Sequence, residues 1–288
     1  MALPVLIFGP PGCGKTVDLG YSFPHANFIG KAQGDGAPPA GSESIIHTCG
    51  YSDFQFSDAS SVEDVQKVVK SMPRGGIAVV DDYSGLSRQT VRDAKKRFRN
   101  GYDVWDQVIN SSVDLIEKDS AHLSLIILNC WRADAKMNEQ TGQLRPVGPK
   151  LVGQLIDEVP ARCHLVMEAV HEPMRKPWPW AYRVTSSPRD RTKDRFNLVT
   201  RITPAPMNFA EILRARGVPV AYKYEWQEGV TQHVYEMLVA GSKPAASIAQ
   251  ELLGTGLTRE QVMWVMRDAS DRKTIQTALE HQNNNFLL

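Results

Sequence analysis

Gly9-Pro10-Pro11-Gly12-Cys13-Gly14-Lys15-Thr16 matches the pattern G-x-x-x-x-G-K-[ST] at every fixed position. With no side chain at Gly9, Gly12 and Gly14, successive backbone amides can curl around an anion, and a helix opening at Lys15 adds further donors. Pro10, Pro11 and Cys13 fill the variable positions. Cys13 is read as a small filler rather than a redox nucleophile, because no other cysteine is near it in sequence. Lys15 is suited to the β- and γ-phosphates and the Thr16 hydroxyl to Mg2+.

A second acidic signal follows the apolar run Ile77-Ala78-Val79-Val80, which ends at Asp81-Asp82. A carboxylate at the end of a buried parallel strand lies where it can hold the metal or its water. Asp81 is assigned the metal role, and Asp82 is read as either polarising the attacking water or stabilising the loop; the two assignments can be exchanged. A third run, Leu123 to Leu128, leads into Asn129, a candidate sensor that hydrogen-bonds the γ-phosphate. The Asn-Lys-x-Asp signature of guanine recognition is missing there, so ATP is the expected nucleotide and Mg2+ its metal.

These groups need elements to hold them. Pro4 to Phe8 predicts a short buried strand delivering the chain to the glycine-rich turn, and Asn27–Ile29 and Ser44–His47 predict further short strands around a Gly/Pro-rich connection. Helical spacing of Val62, Val65, Val68, Val69 and Met72 predicts a helix over 60–72, with Ser60 and Glu63 as a capping box. Ser87 is expected to cap a helix running to Phe98, followed by a second over 103–117. The basic residues Arg88, Arg92, Lys95, Lys96, Arg97 and Arg99 on the first of these are read as a solvated face. After a loop over 137–148 and a short amphipathic helix, strands are expected at 163–170, 180–185 and 196–199. From 207 onward the pattern turns helical, with elements expected at 208–215, 229–240, 244–253, 258–268 and 271–281, a Thr258/Gln261 capping box, and a frayed tail at 282–285. The implied organisation is a core over 1–203 and a helical accessory or assembly region over 207–288.

Composition sets the outer bounds. The 288 residues are 42% hydrophobic and 23% charged, ordinary for a globular protein and enough for one substantial α/β domain. No apolar segment is long enough to span a membrane and the first residues do not read as a secretion signal, so a cytoplasmic protein is expected. The four scattered cysteines form no metal-binding or redox pair. A net charge of +1 gives no global attraction to nucleic acid, but residues 172–201 hold eight Arg or Lys against three Asp or Glu. That segment could contact DNA phosphates while Trp178, Trp180 or Tyr182 stacks on bases, reach a phosphoryl group across a subunit interface, or form a solvated edge.

Taken together, GPPGCGKT, IAVVDD, LIILN and RVTSSPRDRTKDR resemble the phage RecA-like recombination ATPases, especially the single-strand annealing group, over roughly residues 1–203. The resemblance implies an α/β P-loop NTPase fold with a RecA-like, mostly parallel sheet followed by a small helical region. It also implies ATP and Mg2+ binding, homo-oligomerisation, action on single-stranded DNA with phage recombination proteins, and location in the host cytoplasm. By the same match Lys193 and Arg195 would bridge to a neighbouring subunit. The sequence departs from the family in showing neither a catalytic glutamate after the early strand nor a clear pair of DNA-binding loops; Asp82 would take the acidic role. Other readings are a DNA-translocating or packaging-associated ATPase, an ATP-switched assembly or regulatory module without DNA activity, and a small-metabolite kinase.

Overall fold

The computed structural model describes residues 2–34, 38, 55–137, 142, 144–175, 178–185, 191–218 and 225–285. The expected strand at 44–47, Cys49, Arg189 and part of the 137–148 loop lie outside the described residues.

Six parallel strands carry the structure: β1 (Leu3–Gly9), β2 (Asn27–Gly30), β3 (Gln55–Asp58), β4 (Ile77–Val80), β5 (Leu125–Ala133) and β9 (Leu165–His171). Their order is β9-β1-β5-β4-β2-β3, so β5 lies between the strand feeding the glycine-rich loop and the strand ending at Asp81. Short strands complete the set: β6 (Lys136–Met137) pairs with β7 (Leu144–Arg145), and β8 (Gly148–Pro149) with β5. β10 (Trp180–Arg183) and β11 (Lys193–Asp194) run antiparallel to β9, and β12 (Ala205–Pro206) antiparallel to β10. A mostly parallel sheet with helices on both faces is an α/β fold.

Parallel strands covered on both faces should be apolar, and β1, β4 and the first four residues of β5, Leu125 to Leu128, are. Alternation then sorts them. Val5, Ile7, Val79, Ile127 and Met167 pack on one face with Leu19 of α1 (Lys15–Ser22) and Phe209 of α6 (Phe209–Ala215). Leu6, Phe8, Val80, Leu128, Cys130 and Val166 pack on the other. That second face is covered by α2 (Val62–Ser71), α3 (Tyr83–Arg97), α4 (Gly101–Asp114) and α5 (Leu155–Arg162).

Several boundaries differ from expectation for identifiable reasons. Ser61, not Ser60, caps α2, accepting from Asp64 N. Ser87 lies inside α3, which begins a turn earlier because Asp82, at φ 54, accepts from Gly85 N and caps it. The helix over 103–117 is replaced by α4 and a π-helical turn at Leu115–Asp119. No strand forms at 196–199; the Asp194 carboxylate instead collects the backbone N–H groups of Phe196, Leu198, Val199 and Thr200. β5 continues past Asn129 to Ala133.

Beyond β12, the helices are α6, α7 (Glu225–Ala240), α8 (Ala245–Gly254) and α9 (Arg259–Asn285). Thr258 and Gln261 form the expected reciprocal capping box, 2.8 and 3.2 Å. The two helices expected at 258–268 and 271–281 are one, and 282–285 are helical rather than frayed. No glycine or proline interrupts the run, and Asp268 and Arg272 on either side of the junction are drawn into buried hydrogen bonds. Val234, Ile248, Leu252, Val262, Val265 and Ala269 form a cluster of their own, whereas α6 and Ile275 of α9 join the α1-face core.

Charged groups fasten α9 to α1. Asp18 accepts from Arg267 at 3.1 Å, from the Tyr182 hydroxyl at 2.6 Å and from Phe209 N at 3.3 Å. Asp268 accepts from the Tyr21 hydroxyl at 2.5 Å and Asn208 Nδ2 at 2.7 Å. Arg272 binds Glu211 in a bidentate pair through Nε and Nη2. Removing one member of such a buried pair costs roughly 3–5 kcal/mol, because the partner's charge is left stranded.

Two predictions follow from packing and charge. A Cβ on Gly9 would stand 2.7 Å from the Ala169 Cβ, so Gly9→Ala should destabilise the protein by about 1–3 kcal/mol, read as a lower denaturant midpoint. Burial and the neighbouring Glu211 push the Asp268 carboxyl from 3.8 up to about 8, and burial pushes Asp271 to about 6. Between the unfolded and folded values the native state holds protons that the unfolded chain has released, so stability is full below about pH 4 as far as these groups are concerned and falls as pH rises towards 8. Asp268→Asn should flatten the pH 6–8 part of that decline in denaturation curves taken at stepped pH.

Candidate functional site

The site sits where β1 and β4 end, beside Asn129 at the middle of β5 and the start of α1. Asp81 is two residues beyond Val79 and Asn129 two beyond Ile127, so both project on the α1 face. Thr16, in the first turn of α1, meets them there. Its hydroxyl donates to the Asp81 carboxylate, with oxygen separations of 3.2 and 3.4 Å. Asn129 Nδ2 donates to Asp81 Oδ1 at 2.6 Å and reaches Thr16 Oγ1 at 3.3 Å. Asn129 Oδ1 is buried without a partner among the described residues, an acceptor facing no protein donor.

The loop itself takes the shape its glycines permit. Gly12 and Gly14 have φ 74 and 82, a region that penalises any Cβ, and Gly14 precedes α1 without a side-chain cap. Asp18 N donates to the Gly14 carbonyl at 2.9 Å, closing the first turn of α1 directly behind the loop. Lys15 is buried, its ammonium donating to the carbonyls of Gly9 at 3.1 Å and Pro10 at 3.0 Å and lying 3.4 Å from Cys13 Sγ. Cys13 is fully buried, while Pro11, Gly12 and Gly14 form the exposed rim.

Burial raises the Asp81 carboxyl above the usual carboxylate range, opposed by the hydrogen bonds from Asn129 and Thr16. Burial also raises Asp82, opposed by the Gly85 amide and reinforced by the charge of Asp81. A cation or a donor entering beside Asp81 would restore its ionised form.

On the opposite face of the same strand ends lies a group the sequence reading did not single out. Glu168, opposite Phe8 on β9, is 1% exposed and is clamped by Arg132 of β5 at 2.9 Å and Arg183 of β10 at 2.5 Å. The signal was available: a glutamate inside Leu165-Val166-Met167-Glu168-Ala169-Val170 must be paired if the strand is buried. Next to it the Trp131 ring carries Arg88 at 5.1 Å and Lys150 at 5.5 Å, so Arg88 leaves the solvated face expected for it while Arg92, Lys95, Lys96, Arg97 and Arg99 keep theirs.

Lys193 and Arg195 are not brought to this site. β11 pairs with the first residues of β9, the end of the sheet away from the loop. There Lys193 Nζ lies 2.7 Å from the Ala161 carbonyl and Arg195 3.1 Å from the same oxygen, at the C-terminus of α5. Much of the 172–201 charge is likewise held within the chain, Arg175 by Asp271, Arg183 by Glu168 and Arg191 by Asp157. Tyr182 is fully buried on Asp18 and is unable to stack on a base; Trp178 stacks on Trp264, and Trp180 meets His171 edge-on.

No protein-family model matches this sequence, and no curated protein matches it. Among solved structures, the crystal structure of the RadB recombinase is distantly similar, at 15% identity and a TM-score of 0.36, over 67% of this chain and 90% of that one. No helix among the described residues is long and apolar enough to cross a membrane.

Proposed function

We propose that this chain binds ATP with Mg2+ on the Gly9–Thr16 loop and hydrolyses it to drive recombination or annealing of single-stranded DNA as a homo-oligomer. The observation that carries the nucleotide reading is the convergence of Thr16, Asp81 and Asn129 beside Lys15 at the C-terminal ends of parallel strands. The DNA role rests on the motif order and the resemblance it creates.

The residues present fit Mg2+. One carboxylate and one hydroxyl, 3.2 Å apart, are the hard oxygen donors this ion takes from a protein when phosphates and water supply the rest. Among the described residues no group of three or more His, Cys, Asp or Glu could hold a metal alone, so Asp81 and Thr16 would share the ion with the nucleotide. Held by Asp81 and Thr16, a Mg2+ ion would supply charge neutralisation to the γ-phosphoryl transfer.

The chain's own groups do the rest. Loop and α1 amides take the phosphate oxygens, and Lys15 exchanges the Gly9 and Pro10 carbonyls for the β- and γ-phosphates. Asn129, already oriented by Asp81 and Thr16, contacts the γ-phosphate. Asp82, next to Asp81 in the chain and accepting from Gly85 N, is the candidate base for the water that attacks phosphorus as the bond to the β-phosphate oxygen breaks. Lys193 and Arg195, at the far end of their own sheet, would act in a neighbouring copy's site.

Lys15→Ala should lower ATP turnover at least about a hundred-fold, a loss of the size expected for a group acting on transition-state charge; normal ATP affinity and turnover in this variant would sink the assignment. Turnover should rise with single-stranded DNA. Stimulation by duplex alone would favour translocation, no response to DNA an assembly switch, and a phosphorylated metabolite in place of inorganic phosphate a kinase. If Arg195 acts across an interface, mixing inactive Lys15→Ala and Arg195→Ala proteins should recover activity, whereas an action within one chain leaves the mixture inactive.

A further inference from the structure

A cleft of about 910 Å³ opens between the β9–β10 connection and helices α8 and α9. Its lining includes Glu172 and Trp178 from the connection, Ala246 from α8, and Met263, Met266 and Arg267 from α9. We propose that it receives the base and ribose of a purine nucleoside triphosphate whose phosphates lie on the Gly9–Thr16 loop. The proposal rests on the nucleotide-binding reading above and extends it to the other end of the ligand.

Position is the first argument. Arg267 lines the cleft and also binds Asp18 Oδ1 at 3.1 Å and the Met207 carbonyl. Asp18 is three residues along α1 from Lys15, roughly 4.5 Å of helix rise. The sulfur of Met207 lies 4.0 Å from where a Cβ on Gly14 would stand. One side chain thus separates the cleft from the first turn of the phosphate-binding helix.

Strand order gives the direction. Asn129 and Asp81 stand on β5 and β4, to one side of β1, while the cleft begins beyond β9 and β10, on the other. A triphosphate crossing the loop with its γ end at Asn129 and Asp81 has its nucleoside end turned towards the cleft.

The lining matches a base better than a phosphate chain. Arg175 and Arg267 are already balanced by Asp271 and Asp18, so neither is a spare cation for a polyanion. Met263, Met266 and Ala246 offer apolar surface to the flat face of a ring, and thioethers adapt to such shapes. The Glu172 carboxylate, also in the lining, can accept from an exocyclic amine. The volume falls in the range of sites that enclose such a ligand.

The test compares ATP with inorganic tripolyphosphate, which keeps the phosphate chain and lacks the nucleoside. Two variants block the cleft from different helices at positions open enough to tolerate change: Ala246→Trp, exposed on α8, and Met263→Glu, 41% exposed on α9. With Mg2+ present, calorimetry on wild-type protein should show ATP binding about ten-fold or more tighter than tripolyphosphate. Both variants should lose that preference while keeping wild-type affinity for tripolyphosphate, which also reports that the loop remains folded. Wild-type ATP affinity in both variants would overturn the cleft assignment and leave the loop assignment standing. Failure of the wild-type protein to bind either compound would overturn both.

Discussion

The hydrogen bonds that Asn129 and Thr16 make to Asp81 are the constraint on which the rest depends. They exist because alternation on β4 and β5 sends Asp81 and Asn129 to the face where α1 begins, and because the registers of β1 with β5 and of β5 with β4 bring the three ends level. A slip of one residue in either pairing would turn one of the two polar groups onto the opposite face, into contact with apolar helices. The apolar residues that precede Asp81 and Asn129 therefore set the chemistry as firmly as the polar ones perform it.

The position of α1 relative to that edge is fixed from below. Asp18 and Tyr21, on the side of α1 away from the sheet's helix-rich face, are held by Arg267 and Asp268 of α9, with Tyr182 and Asn208 completing their hydrogen bonds. Buried carboxyl groups are tolerated here because each has several donors, and the arrangement is correspondingly intolerant of losing one. Through these contacts the helical region after β12 takes part in orienting the Gly9–Thr16 loop and also forms one wall of the cleft beside it.

The glycine-rich loop, the acidic strand end and the strand carrying Asn129 were legible in the sequence because each pairs a continuous apolar run with the polar group that follows it, a pattern that buried parallel strands impose. What was missed depended on tertiary partners. The start of α3 is set by Asp82 in a left-handed conformation, which a local search for Ser or Thr caps passes over. The apolar stretch 196–199 has strand composition, yet Asp194 draws its amides into a compact turn. Glu168 was read as one residue of a strand, although its burial obliges it to find Arg132 and Arg183. The excess of positive charge over 172–201 could be counted but not assigned, since the partners that hold much of it lie 15 to 96 residues away along the chain.

The central claim is that Thr16 and Asp81 form the protein's half of a Mg2+ site shared with ATP. Its most direct measurement is the affinity for ATP, by calorimetry, with Mg2+ and with the metal chelated, in wild-type protein and in Asp81→Asn. The account predicts that Mg2+ tightens binding to the wild type by about ten-fold or more and that Asp81→Asn removes most of this gain while chelated binding stays unchanged. Equal Mg2+ dependence in the two proteins would contradict it.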